Sequence, residues 1–275
     1  MHPARIAELL HPFLSATSCH SEPGRRPSEA CPERSRKPAL SLSKGEPAVL
    51  SQSQLRDIST YIDILQHWNS RINLTAIRSD EEIVTRHFGE SLFVARHLFP
   101  KRQDPEGHDF SRVDIAPETN RALTPEGRTV ANDQQLRTSV GLADLGSGAG
   151  FPGLPIKLWA PNIALTLIES SHKKATFLRE IVRSLTLTSV DIQNVRAEAL
   201  PHATFNVVTL RAVERFTESL TVASTLLAPA GRLALLIGSS QLDQARYALP
   251  HLFWDQPIPI PTSQSRIMLI GTVPK

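Results

Sequence analysis

Hydrophobic positions recur along this chain with two different periods, separated by long stretches that follow neither. Residues 4–14 (ARIAELLHPFL) are apolar at helical spacing and read as a short amphipathic helix. From Ser15 to about Pro47 aliphatic residues give way to Ser, Pro, Arg, Lys, Glu and Gly. Such a composition buries too little apolar area to offset chain entropy, so 15–47 is expected to be a disordered insertion. Order resumes within 48–51, and Leu55, Ile58, Ile62, Leu65 and Trp68 then step by three or four, sharing one helical face. Polar residues Asn69 to Asn73 end that helix. Ser79 and Glu82 form a capping-box pattern, after which Ile83, Val84, Phe88, Leu92 and Leu98 carry one further helix to Phe99. Periodicity is lost again over 101–139, a stretch too long for an ordinary loop and expected to be a second, polar insertion.

From Val140 onward the pattern alternates between apolar runs and helical periods. Strands are expected at 140–144, Ile163–Ile168, Val190–Val195, Phe205–Leu210 and Arg232–Ile237, and helices at Lys173–Leu185, Glu218–Leu227 and Gln241–Leu249. Two last apolar runs, His251–Ile260 and Arg266–Val273, would pair as a terminal antiparallel hairpin. Strands alternating with helices give an α/β fold, a parallel sheet covered on both faces. The expected organisation is an N-terminal helix (1–14), an insertion (15–47), a helical extension (48–100), a second insertion (101–139) and an α/β core (140–275).

The core opens on VGLADLGSGAGFPG, residues 140–153, a strand running into a glycine-rich turn. Glycine admits positive φ and lets a ligand approach bare backbone, and the N–H groups opening the next helix face whatever the turn cradles. Two registers compete. Gly148, Gly150 and Gly153 spell the dinucleotide fingerprint G-x-G-x-x-G, whereas Asp144, Gly146, Gly148 and Gly150 spell D-x-G-x-G-x-G, the loop of S-adenosylmethionine (SAM) methyltransferases. A dinucleotide site places its first glycine directly after the strand, which would leave Asp144 to Ser147 as a spacer. Pro152 also removes a donor from that turn. The second register is preferred, with Asp144 at the strand tip expected to face the cofactor's ammonium group. A βα turn that binds nothing is the third reading.

Cofactors on such sheets lie across the carboxyl ends of the strands, so residues just past each strand carry the information. Glu169 follows the second strand, where an acid accepts hydrogen bonds from ribose hydroxyls in SAM and NAD alike. Ala197 and Glu198 follow the third, where a backbone N–H and a polar side chain hold an adenine. Arg211 ends the fourth, placed to pair with a carboxylate or a phosphate. Lys173 and Lys174 open the next helix after the second strand, against the helix dipole, which hints at a use; a solvated helix face explains them equally well.

Formal charge is +3, with 30 Lys and Arg against 27 Asp and Glu, which permits a nucleic-acid partner without demanding one. No run approaches the ~18 apolar residues of a membrane span. AELLHPFL near the start is broken by His11 and Pro12 and lacks a cleavage site, so the chain is expected in the cytoplasm. Cys19 and Cys31 form no C-x-x-C and have no histidines at ligand spacing, so no metal is expected. Pro-Cys, Asp/Asn-Pro-Pro-Tyr and His-Glu-x-x-His are all missing. An acceptor needing neither covalent catalyst nor base fits best. Guanine N7 is one, since its lone pair lies in the ring plane and carries no proton, leaving the protein to supply alignment and electrostatics.

Asn73-Leu74-Thr75-Ala76-Ile77, Arg86-His87-Phe88-Gly89-Glu90-Ser91-Leu92, DLGSGAGFPGLP at 144–155, and Lys173-Lys174 with Phe177-Leu178 together resemble the ribosomal RNA small-subunit methyltransferase G family, also known as glucose-inhibited division protein B. The resemblance implies a class I SAM-dependent methyltransferase fold and N7 methylation of one guanine in the decoding-region loop of 16S rRNA. The substrate would be that RNA or the small-subunit particle, and the enzyme a monomer. It further implies SAM contacts at Gly146, Phe151, Ala197, Glu198 and Arg211, with Glu169 on the ribose. Arg86, Lys173 and Arg211 are candidates for the RNA side. Glu90 stands where the family more often has Asp, and Leu210 where Ser is more usual. Neither insertion has a counterpart in the family pattern. Two other functions stay open: an NAD-dependent oxidoreductase, which would want a hydride-transfer partner where Arg211 stands, and a non-catalytic RNA-binding protein on the same fold.

Overall fold

The computed structural model describes residues 1–15, 50–100, 102–103, 109–110, 140–211 and 215–274. The insertion expected at 15–47, apart from Ser15, and nearly all of the polar insertion 101–139 therefore lie outside the described residues. Within the latter, Arg102–Gln103 and Asp109–Phe110 pair as a short antiparallel ribbon.

The N-terminal helices are α1 (Pro3–Leu14), α2 (Gln52–Asn69) and α3 (Glu90–Leu98). A capping box forms at α2, where Ser51 Oγ accepts from the Gln54 N–H at 3.2 Å and Gln54 Oε1 accepts from the Ser51 N–H at 2.8 Å. The one read at Ser79 and Glu82 does not form, for Ser79 makes no side-chain cap bond. The turn Asp80–Glu82 is instead tied outward, Asp80 accepting from Gln66 and Glu81 pairing with Arg5 at 2.6 Å. The single helix expected from Ile83 to Phe99 is likewise interrupted: Ile83–Gly89 is π-helical before α3 begins. Short π segments inside helices recur at functional sites, and this one carries Arg86 and His87.

Beyond them run β1 (Gly141–Leu145), α4 (Gly153–Trp159), β2 (Ala164–Ile168), α5 (His172–Ser184), β3 (Val190–Gln193) and β4 (Phe205–Arg211). The chain continues through α6 (Phe216–Leu226), β5 (Leu227–Gly238), α7 (Leu242–Ala248), β6 (Phe253–Trp254), β7 (Ile258–Pro259) and β8 (Arg266–Thr272). The sheet order is β3-β2-β1-β4-β5-β8-β6, with β7 also paired to β8. β3, β2, β1, β4 and β5 are mutually parallel, and β8 lies antiparallel to β5 from Arg266↔Gly238 to Thr272↔Arg232. The first arm of the terminal hairpin is split into β6 and β7, both on β8. Pro257 stands in the break between them, where proline has no N–H to give to a ladder, and Pro259 and Pro261 keep β7 short.

Strand alternation sorts the core into two halves. Leu142, Leu165 and Leu167 face α4, α5 and all three N-terminal helices, in one cluster with Ile6, Tyr61, Phe88 and Phe177. Ala143, Leu145, Val208 and Leu210 face α6 and α7. The helical extension is thus the cover of one sheet face. Trp159 Nε1 donating to the Phe99 carbonyl at 2.9 Å ties its end to α4.

Candidate functional site

β1 has β2 on one side and β4 on the other, so the loop after it sits where the strand order reverses, the point at which open α/β sheets bind ligands. The loop needs glycine for conformation: φ is +70° at Gly146 and +85° at Gly150, the left-handed region that other residues enter at a cost. A side chain at Gly150 would also strike the Tyr61 hydroxyl and Leu154.

Asp144 is turned inward beneath the loop. Its residue is 1% exposed; Oδ1 accepts from the Thr209 hydroxyl at 2.8 Å and Oδ2 from the Gly153 N–H at 3.2 Å. Burial pushes its carboxyl up to about 6 against the pull of those bonds. The reason is strand parity, because Asp144 shares the buried face of Leu142, two residues earlier. It fixes the turn from beneath. Glu169 fixes the turn from the rim: Oε2 accepts from the Gly148 N–H at 2.9 Å and Oε1 from the Ser171 N–H at 2.8 Å. Asn194 steadies that corner by donating to the Glu169 carbonyl at 2.8 Å.

A cavity of about 540 Å³ opens beside this loop along the carboxyl edge of β1, β2 and β3. It brings together four of the residues read from the sequence, namely Gly146, Glu169, Ala197 and Glu198. It also takes in Lys174, Arg196, Arg215 and Glu218, which sequence reasoning did not assign to the cofactor. Arg215 is the N-cap of α6 and Glu218 stands in its first turn, beyond the strand-end positions that the sequence pattern marks. Lys174 lines the cavity, while its neighbour Lys173 is exposed. A larger cavity, about 660 Å³, lies between the start of α2 and the end of α4 and contains none of the expected site residues. Lys157 there donates to the Pro161 and Ile163 carbonyls at 2.6 Å each.

Phe151 and Arg211 lie apart from the 540 Å³ cavity. The Phe151 ring, 7% exposed, is stacked between His87 (centroids 4.6 Å apart) and Tyr61 (5.4 Å), with Phe88 edge-on at 5.1 Å. The Tyr61 hydroxyl donates to the Ala149 carbonyl at 2.6 Å. The glycine loop is therefore clamped to the helical extension through aromatic contacts that no local pattern reveals. His87 is held neutral, its pKa driven down to about 3 mainly by burial and further by the nearby Arg211, Arg86 and Arg266. Its Nε2 meets Thr75 Oγ1 at 2.8 Å, and its Nδ1 is buried without a partner. Arg211 Nη2 donates to the Arg86 carbonyl at 2.7 Å and lies 3.2 Å from Glu90 Oε2.

The strand order with its antiparallel penultimate strand, the D-x-G-x-G-x-G loop at the reversal point and the adjoining cavity edged by Glu169 define a class I SAM-dependent methyltransferase. A cavity of this volume suits a ligand of SAM's size, and its rim offers glycine backbone, a carboxylate and both charges. Comparison with known proteins then settles the family. The chain belongs to the rRNA small subunit methyltransferase G family, whose model matches residues 54–109 and 128–259. It is 34% identical over 192 residues to Ribosomal RNA small subunit methyltransferase G of Xylella fastidiosa, covering 70% of this chain and 72% of that one. It is 32% identical over 225 residues to the protein so named from Halorhodospira halophila, covering 81% of this chain and 89% of that one. Among solved structures it is similar to a ribosomal protein L11 methylase from Lactobacillus delbrueckii at 16% identity and a TM-score of 0.44, over 52% of this chain and 74% of that one. Among the described residues no helix is long and apolar enough to cross a membrane, and no acid, histidine and cysteine cluster could hold a metal ion.

Proposed function

We propose that this chain methylates N7 of a guanine in the decoding-region loop of 16S rRNA, in the cytoplasm where that RNA is assembled into the small subunit. The observation that carries the reading is the family match, which spans both the helical extension and the glycine loop. Bound SAM would supply a methyl group on a sulfonium, which guanine N7 takes with its ring-plane lone pair, without loss of a proton. The chain's own residues then have to bind, align and exclude water.

In this reading the cavity beside Gly146 takes the adenosine end. Ala197 and Glu198 would meet the adenine. Glu169 would receive the ribose hydroxyls on the lone pairs left after its bonds to Gly148 and Ser171. Phe151 would act through its backbone, with its ring fixing the loop against His87 and Tyr61. Arg211 stands at the carboxyl end of β4, beside the loop, held by Glu90.

The test is transfer from methyl-labelled SAM to small-subunit particles taken from cells that lack the modification, with the modified base mapped by chain scission at 7-methylguanine. One methyl group per particle at one guanine supports the reading. Incorporation at a ring carbon or an exocyclic amine would overturn it, as would none at all from a chain that binds SAM.

A further inference from the structure

Two arginines, Arg211 and Arg266, converge on one carboxylate at the carboxyl edge of the sheet, and a third, Arg86, lies near enough to repel Arg211. A single oxygen, Glu90 Oε2, lies 3.2 Å from Arg211 Nη2 and 3.0 Å from Arg266 Nε. The side chains of Glu90 and Arg211 are 4% and 9% exposed, that of Arg266 21%. Arg86, four residues before Glu90 on the same helical run, is exposed, and its carbonyl receives Arg211. The other nearby carboxylate, Asp144, is sealed beneath the loop and bonded to Thr209 and Gly153.

This arrangement is not a neutral ion-pair network. Two guanidiniums share the buried Glu90 carboxylate, Arg86 adds a third positive charge within reach of Arg211, and His87 beside them adds none. Burial chiefly, and then repulsion from Arg266 and Arg86, bring Arg211 down to about 10 despite the attraction of Glu90. Excess like charge in a partly desolvated site costs stability unless an anion offsets it. Hydrogen-bonding capacity is also unspent. Arg266 Nε and Glu90 Oε2 are in ionic contact without an aligned hydrogen bond, and His87 Nδ1 is buried with no partner. Arg266 Nη2 reaches only the Leu236 carbonyl, at 3.2 Å.

The topology says which anion. Arg211 closes β4, and Arg266 opens β8 opposite Gly238, the last residue of β5. Both stand at the edge that bears the cofactor cavity, displaced to the β4–β5 side and away from the β2–β3 side where Glu169, Ala197 and Glu198 lie. An acceptor RNA carries backbone phosphates, and a positive patch at this edge of the sheet is placed to meet one.

We propose that Arg86 and Arg266 form a subsite for one backbone phosphate of the acceptor RNA, with Glu90 as the positioning residue that sets Arg266 beside Arg211. The proposal rests on the rRNA methyltransferase reading and adds to it the residues that grip the strand. Guanidinium pairs suit the task because two parallel N–H groups match two phosphate oxygens. Glu90 holds the Arg266 head in place before the RNA arrives, so less rotamer freedom is lost on binding.

The experiment compares the full-length chain with Arg266→Ala, Arg86→Ala and Arg266→Lys. SAM affinity is read by calorimetry, and KM for the small-subunit particle is read as a function of salt. Each alanine variant is expected to raise the particle KM about tenfold with SAM affinity unchanged, and to reduce the steepness of the log–log salt dependence by roughly 0.7 for each phosphate no longer neutralised. Arg266→Lys should recover part of the KM by keeping the charge. Glu90→Gln should raise the particle KM with a smaller change in salt slope, since both arginines remain. If Arg266→Ala fails to fold, the exposed Arg86→Ala carries the test alone. Unchanged KM and slope would overturn the proposal, and so would a loss of SAM affinity, which would give these arginines to the cofactor's carboxylate. A wild-type chain that binds SAM yet methylates no particle refutes the functional reading instead.

Discussion

The Glu169 carboxylate accepts the Gly148 N–H at 2.9 Å, so the acid beyond β2 holds the glycine loop beyond β1 in the shape that a cofactor meets. With Asp144 bonded to Gly153 from below and Tyr61 to Ala149 from the side, the loop is fixed by three side-chain contacts before any ligand binds. A loop set in advance spends less of its binding energy on ordering.

Glu169→Ala should therefore reduce SAM affinity by more than the loss of ribose contacts alone. The Gly148 and Ser171 N–H groups lose their partner, at a cost of about 1–3 kcal/mol in stability for a buried donor left unmet. Glu169→Gln keeps one acceptor oxygen and should fall between. Calorimetry against SAM, run beside urea denaturation, separates the two effects. An Ala variant with unchanged stability would show that the Gly148 bond contributes nothing.

Tyr61→Phe removes one hydroxyl from the aromatic clamp and leaves the ring stack with Phe151 intact. The expected cost is about 0.5–1.5 kcal/mol, the net worth of one hydrogen bond, plus any penalty for the orphaned Ala149 carbonyl. Phe151→Ala should cost more, about 3–5 kcal/mol, since it empties a site packed between two rings. Denaturation midpoints compare them, and equal losses would contradict the clamp.

Asp144 and His87 impose opposite pH dependences. The Asp144 pKa is raised from 3.8 to about 6, so the folded state takes up its proton first. Its stabilising contribution is complete below 3.8 and is lost as pH rises through 6. Relative to Asp144→Asn, the wild type should therefore gain on the order of 2 kcal/mol between pH 7 and pH 4. A difference that stays flat over that window would show that the carboxyl titrates normally.

His87 has its pKa lowered from 6.5 to about 3, so its contribution is present above 6.5 and is lost as pH falls toward 3. Nitrogen chemical shifts of the ring should report neutral imidazole at pH 5, where an ordinary histidine is charged. A protonated His87 at pH 5 would mean that the ring is open to water and the stack on Phe151 is loose.

The succession of strands and helices, the cofactor loop and four cavity residues are legible in the sequence because each depends on local pattern: apolar runs, glycine spacing, and position just past a strand end. Asp144 turns inward, against the expectation from the glycine register, although alternation from Leu142 already carries that signal. Ser79 carries a capping pattern that loses to side-chain ties from Arg5 and Gln66, residues distant in sequence. The pairing of Glu90 with Arg211 and Arg266 joins residues 121 and 176 positions apart, which no window of periodicity spans, and the apolar spacing of 83–98 carries no mark of the π segment at Ile83–Gly89. Lys174 rather than Lys173 meets the cavity because helix phase, unlike composition, distinguishes neighbours.

Occupancy of the cavity beside Gly146 by SAM is the central claim, and calorimetry of the purified full-length chain tests it most directly. SAM should bind with micromolar affinity, NAD should not bind, and Gly146→Asp should abolish the SAM signal in a chain that still folds, because Gly146 lines the cavity at a positive φ that a residue with a side chain adopts at a cost. A folded wild-type chain that gives no heat with SAM, or a Gly146→Asp variant that binds it undiminished, would contradict the claim.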